Sequence, residues 1–104
     1  MNKLELLVSL NRGKSKEFKQ SLEILKEKIE DFSASFNIDE SEDALTFSLL
    51  INWDTEVQMH QALQRDEFKI LCGAINSLGE KTVIRLNDKE VGKHISELKG
   101  IYQD

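Results

Sequence analysis

Proline is absent from this 104-residue chain, and cysteine occurs once, at Cys72. A single thiol excludes an intramolecular disulfide and fits a reducing compartment, so a cytoplasmic location is expected. Without proline there is no Pro-rich linker, and the 5 glycines are scattered through turns and build no phosphate loop. No apolar run approaches the length of a membrane span, and residues 1 to 20 already mix charge with apolar residues, unlike a secretory signal. Clustered basic charge is also lacking. Lys14, Lys16, Lys19, Lys26 and Lys28 alternate with Glu17, Glu23, Glu27 and Glu30, and the net charge is −5. That is a solvated helix face and not a phosphate track, so neither nucleic acid nor a membrane is expected as a partner.

What is present is ordinary for one globular domain, with 39% hydrophobic and 32% charged residues. In residues 3 to 11, Leu4, Leu6, Val8 and Leu10 alternate with Lys3, Glu5, Leu7 and Ser9. A period of two with one apolar side predicts a strand. Phe18, Leu22, Leu25 and Ile29 then fall on one stripe at about 100° per residue, which predicts an amphipathic helix over 15–30 with Ser15 as its cap. Alternation returns in Phe32, Ala34, Phe36 and Ile38, and again in Leu45, Phe47, Leu49, Ile51 and Trp53. The polar "DESED" between them predicts an antiparallel hairpin.

Thr55 and Gln58 have the spacing of a capping box. The helix they open changes phase. Met59, Ala62 and Leu63 share one side, and Phe68, Leu71, Ala74, Ile75 and Leu78 share another, offset by roughly 130° at about 100° per residue. One straight helix cannot bury both sets against one sheet. A break near Arg65 is therefore predicted, with Asp66 capping a second helix that Gly79 ends. Residues 81–87 read as a fourth strand. Asn87 or Asp88 then caps an expected last helix whose stripe is Val91, Ile95, Leu98 and Tyr102. The order β-α-β-β-α-β predicts an α+β, ferredoxin-like sandwich with a four-stranded antiparallel sheet. It is a single domain over 1–104, with its core in 1–88 and a C-terminal helix in 89–104.

The helices of such a sandwich cover one sheet face. The other carries Leu7, Ser9, Asn11, Ser33, Ser35, Ala44, Thr46, Ser48, Leu50, Asn52, Val83 and Arg85, and its middle reads as small and uncharged. Two readings are open: a wet Ser/Thr face, or a face packed against a second copy, where small side chains allow close approach. A homodimer through this face is the expectation taken forward.

Residues 53–78, "WDTEVQMHQALQRDEFKILCGAINSL", resemble the antibiotic-biosynthesis-monooxygenase-like family of dimeric α/β-barrel proteins. In that family a strand ends in an aromatic residue, a short helix follows, and a second aromatic opens the next helix after a break. Trp53, residues 55–64, Arg65–Asp66 and Phe68 hold those positions, and the resemblance covers roughly residues 3–88. It implies a dimeric α/β barrel, no cofactor, and an apolar small molecule bound in the gap left by the broken helix. It also implies either cofactor-independent monooxygenation of an aromatic or quinol-type substrate, or non-catalytic binding of a hydrophobic, fatty-acid-like ligand. The implied pocket is lined by Trp53, Met59, Leu63, Phe68 and Cys72, with Asn52, His60 and Asn76 as polar contacts; the competing reading is that these apolar residues are plain core.

The family's His late in the first short helix corresponds to Ala62. His60 lies two residues earlier, about 200° around the helix. The haem-degrading branch places an Asn on the first strand, near Asn11, and its Trp and His positions correspond to Ala62 and Cys72. The catalytic candidates are therefore His60, Trp53 and Asn11. The pKa range of an imidazole suits a general base, with Glu56 the only carboxylate one turn away; the competing reading is a rim histidine. His60 has no second ligand at metal spacing, so no metal is expected.

Overall fold

The computed structural model describes residues 2–87 and, as backbone, residues 89–92. Alternation in the first strand does what its period dictates. β1 (Asn2–Leu10) buries Leu4, Leu6, Val8 and Leu10 on one side. A tight turn, closed by the Lys14 N–H on the Asn11 carbonyl at 2.9 Å, leads to α1 (Ser15–Glu30). β2 (Ser35–Glu40) and β3 (Thr46–Trp53) form the expected hairpin. α2 (Glu56–Leu63) and α3 (Asp66–Leu78) are the two parts of the broken helix, and β4 (Gly79–Leu86) and β5 (Lys89–Gly92) end the described chain.

The sheet is antiparallel throughout, in the order β2-β3-β1-β4-β5. Its first four strands have the ferredoxin-like arrangement. Register places Leu4 opposite Ile51, Leu6 opposite Leu49 and Val8 opposite Phe47, so the apolar sides of β1 and β3 coincide. On that face lie the α1 stripe of Phe18, Leu22, Leu25 and Ile29 and the α3 stripe of Phe68, Leu71 and Ile75, all buried. Phe18 meets Phe47 edge to face, with ring centroids 5.2 Å apart. Burial of each such side chain is worth about 1.5–3 kcal/mol relative to leaving it exposed.

The expected break falls between Leu63 and Asp66. Its cause is the phase change: Met59 and Ala62 are buried from α2, and Phe68, Leu71 and Ile75 from α3. Three terminal details differ from the sequence reading. Lys14, not Ser15, holds the N-cap of α1 without a side-chain cap bond, because the Ser15 hydroxyl donates back to the Arg12 carbonyl at 3.4 Å. Arg65 is the extended N-cap of α3, so Asp66 is its first helical residue and complements the helix dipole from inside the first turn. Gly79 ends α3 in an extended conformation (φ −77°), not a left-handed one.

The larger correction concerns residues 89–92, expected to open a helix. They form β5, with Leu86 opposite Lys89. Asn87 adopts φ 50°, its Oδ1 accepts the Lys3 N–H at 2.8 Å, and its own N–H donates to the Lys3 carbonyl at 3.0 Å. An Asn held this way turns the chain back and cannot cap a helix. The rest of that expectation, Ile95, Leu98 and Tyr102, lies outside the described residues.

Register also corrects the reading of the uncovered face. Leu7 lies between Ser48 and Val83, but Glu5 lies between Leu50 and Arg85, so the centre of the face carries charge. Asn52 is half-buried there and donates to the Ser35 hydroxyl at 3.0 Å.

Candidate functional site

Where β3 hands over to α2, the chain is pinned from both ends. The Thr55 hydroxyl accepts the Gln58 N–H at 3.1 Å, and the Gln58 side chain accepts the Thr55 N–H at 3.3 Å, which completes the capping box. The Trp53 side chain points inward, and its Nε1–H donates to the Phe32 carbonyl at 3.1 Å. This bond draws the connection between α1 and β2 over the start of α2. The same connection is held by the Ser33 hydroxyl, which donates to the Ile29 carbonyl at 2.9 Å, and by the Ala34 N–H, which donates to the Asn52 carbonyl at 2.7 Å.

At the helix break, the Arg65 guanidinium lies 4.5 Å from the centroid of the Phe32 ring. Its Nε sits 3.4 Å from the Glu67 carboxylate. Glu67 is in the first turn of α3, where its own backbone N–H, helped by the Arg65 guanidinium, holds its carboxyl below the ordinary value against the opposing effect of desolvation. Arg65 is thus fixed from two sides, by an aromatic face and a carboxylate.

Between these walls is a cleft of ≈ 270 Å³. Residues 31–34 form one side, and Asp54, Gln58, Gln61, Ala62 and Arg65 form the other. Phe32 and Ala62 supply apolar surface. Asp31 and Asp54 offer carboxylates, Gln58 and Gln61 offer amides one helical turn apart, and Arg65 offers a fixed donor fork. The arrangement suits a small ligand with an apolar body and several hydrogen-bonding groups.

This lining includes none of the eight pocket residues expected from the sequence. Trp53, Met59 and Phe68 are buried at 1%, 2% and 3% relative exposure within the core cluster, and Leu63 and Cys72 pack against it. Asn52 projects to the opposite sheet face from Trp53, because successive strand residues alternate. His60 is half-buried next to Met59 on α2, and Asn76 and Asn11 are exposed. Trp53 reaches the cleft only through its bond to Phe32. Among the described residues no group of three His, Cys, Asp or Glu could hold a metal ion. Two of the cleft residues carried a local signal, Gln58 and Gln61 at i,i+3. The approach of residues 31–34 is a tertiary contact with no local trace.

No family model matches the chain, and no curated protein does. Solved structures do. An antibiotic biosynthesis monooxygenase superposes with a TM-score of 0.75 at 15% identity, over 85% of this chain and 97% of that one. A conserved protein from Methanosarcina mazei Go1 gives 0.74 at 17% identity, over 85% and 91%. A conserved protein of unknown function from Bacteroides thetaiotaomicron gives 0.73 at 15%, over 82% and 93%. No described helix is long and apolar enough to cross a membrane. The chain shares its α+β ferredoxin-like fold with antibiotic biosynthesis monooxygenase proteins of known structure, in agreement with the resemblance at residues 53–78.

Proposed function

We propose that the protein is a homodimeric, cytoplasmic small-molecule-binding protein with the monooxygenase fold. Its ligand enters the cleft between the α1–β2 connection and α2. The cleft carries this reading. At ≈ 270 Å³ it suits a single-ring compound. Its polar rim of Asp31, Asp54, Gln61 and Arg65 favours a hydroxylated aromatic over a fatty-acid-like chain, which would leave those groups without partners.

The fold neighbour that is an antibiotic biosynthesis monooxygenase favours a second reading, in which the bound aromatic is oxygenated. Molecular oxygen would convert a ring methylene to a carbonyl. One oxygen atom is retained, and the other leaves as water with the two methylene hydrogens, so no separate reductant is consumed. Asp31 and Asp54 are the carboxylates at hand to take a proton from the substrate.

Isothermal calorimetry with hydroquinone, catechol and laurate tests the binding reading, and an oxygen electrode with anthrone, whose central ring carries such a methylene, tests turnover. Saturable binding of a quinol, abolished by Gln61→Trp at an exposed position of the cleft wall, is expected. Absence of saturable quinol binding in the folded protein would overturn the cleft assignment, and binding without oxygen uptake would remove the second reading.

A further inference from the structure

The cleft has a charge as well as a shape. Asp31 stands on the wall formed by residues 31–34, and Asp54 stands on the opposite wall. The Trp53 Nε1–H, bonded to the Phe32 carbonyl at 3.1 Å, ties the residue after Asp31 to the residue before Asp54. One bond thus brings carboxylates from distant parts of the sequence to the same cleft. Among the described residues, neither side chain makes a hydrogen bond or an ion pair.

Arg65, the cation of the lining, is already engaged. The Glu67 carboxylate lies 3.4 Å from its Nε and 3.5 Å from its Nη2. The lining therefore sets Asp31 and Asp54 against a cation that is already neutralised, which leaves it negative at neutral pH. Flanking groups do not change that sign. Lys28 acts on Glu67, and Lys26 pairs with Glu30 at 3.9 Å. Glu56 and Asp66 sit in the first turns of α2 and α3, where they offset the positive ends of those helix dipoles. α1 turns its negative end toward the cleft, since Asp31 is its C-cap. The aromatic wall also suits a cation, because the Arg65 guanidinium itself rests 4.5 Å from the Phe32 ring centroid.

We propose that the ligand of this cleft is a hydroxylated aromatic amine, whose ammonium group sits between Asp31 and Asp54 while its ring lies against Phe32. The proposal rests on the binding reading of the cleft above and adds the ligand's charge to it. An ammonium is a compact donor with three N–H groups and satisfies carboxylates on both walls at once. A carboxylate tail on the same ring would add a further negative charge between them. Both aspartates are exposed, so the gain is moderate and falls with salt.

The test is isothermal calorimetry at low salt with probes that share a catechol ring. Dopamine carries a positive tail, 4-methylcatechol a neutral one and 3,4-dihydroxyphenylacetate a negative one. The proteins are wild type, Asp31→Asn, Asp54→Asn, the double variant, and Glu23→Gln on the outer side of α1 as a control, each checked for folding by circular dichroism. Dopamine is expected to bind wild type roughly tenfold more tightly than 4-methylcatechol, and dihydroxyphenylacetate more weakly than either. Each single Asn variant should weaken dopamine roughly threefold, and the double variant should erase its advantage while leaving 4-methylcatechol unchanged. Added salt should shrink the advantage, and Glu23→Gln should not alter it. Saturable binding of 4-methylcatechol with no preference for dopamine leaves the cleft reading standing and overturns this one. A preference for dopamine that survives the double variant overturns the assignment to Asp31 and Asp54. Absence of saturable binding by all of the probes overturns both readings.

Discussion

The indole Nε1–H of Trp53, at the end of β3, donates to the carbonyl of Phe32 at 3.1 Å, across 21 positions of sequence. It joins the core to the cleft. Trp53 fills the space under α2, and its one polar atom fixes the connection that carries Phe32, on which Arg65 is stacked. Replacing Trp53 with Phe removes the donor, leaves the Phe32 carbonyl short of a partner and opens a small void. The expected loss is about 2 kcal/mol of unfolding free energy, measured by urea denaturation. Quinol binding should weaken in the same variant, since Phe32 loses its anchor. A variant as stable as wild type would show the bond to be incidental.

Gly79 marks the passage from α3 straight into β4. A Cβ placed there would lie 2.5 Å from the Ile75 carbonyl oxygen and 3.1 Å from Val8 Cγ1. The requirement is close approach and not a left-handed backbone. Gly→Ala in a regular element ordinarily stabilises; here Gly79→Ala is expected to destabilise by about 1–3 kcal/mol, because backbone must move. Gly73, with nothing within 4 Å of its Cβ position in the middle of α3, is the matched control and should gain stability as Ala. Thermal unfolding of the two variants should shift in opposite directions.

How much of this was legible depended on how local its cause is. The alternation of Leu4 to Leu10 and the phase change between Met59 and Phe68 are one-dimensional patterns set by burial, and they located β1 and the helix break. Residues 89–92 misled because Val91 fits a helical stripe. The contrary signal was the two-residue Asn87–Asp88 link between Leu86 and Lys89, a hairpin signature that competes with an N-cap reading of the same asparagine. The charged centre at Glu5 needed the register, since composition alone does not say that Arg85 stands opposite it. The cleft needed the fold itself: Phe32 and Arg65 are 33 positions apart, and only packing of α1 beside α3 brings them together.

The Thr55–Gln58 capping box is the device that starts α2 next to the cleft. Thr55→Ala leaves the Gln58 N–H without its acceptor and should cost about 1 kcal/mol. Gln58 also lines the cleft, so fraying of this first turn should raise the Kd for a quinol more than the loss of stability alone explains. Thr55→Ser, which keeps the hydroxyl, should restore both. Calorimetric titration of the two variants checks the coupling, and equal affinities would show that the cap serves the helix only.

Glu67 gives a pH dependence whose sign is set by its environment. Its own backbone N–H, at the free-amide end of α3, and then the Arg65 guanidinium favour the carboxylate, so the folded-state value is lowered relative to the unfolded chain. A lowered carboxyl stabilises the fold above its ordinary value, and that contribution is lost as pH falls through the folded value. Wild type should therefore lose Tm on acidification more steeply than Glu67→Gln, and the two curves should converge once the carboxyl is protonated in both states. Arg65 is exposed and Glu67 only partly covered, so added salt should shrink the difference. The same protonation frees Arg65 from its carboxylate partner while leaving it against Phe32, so ligand affinity in the cleft should change over the same pH interval in wild type and not in Glu67→Gln. Superimposable Tm curves for the two proteins from neutral pH down through the carboxylate range would show that Glu67 does not hold Arg65 in place.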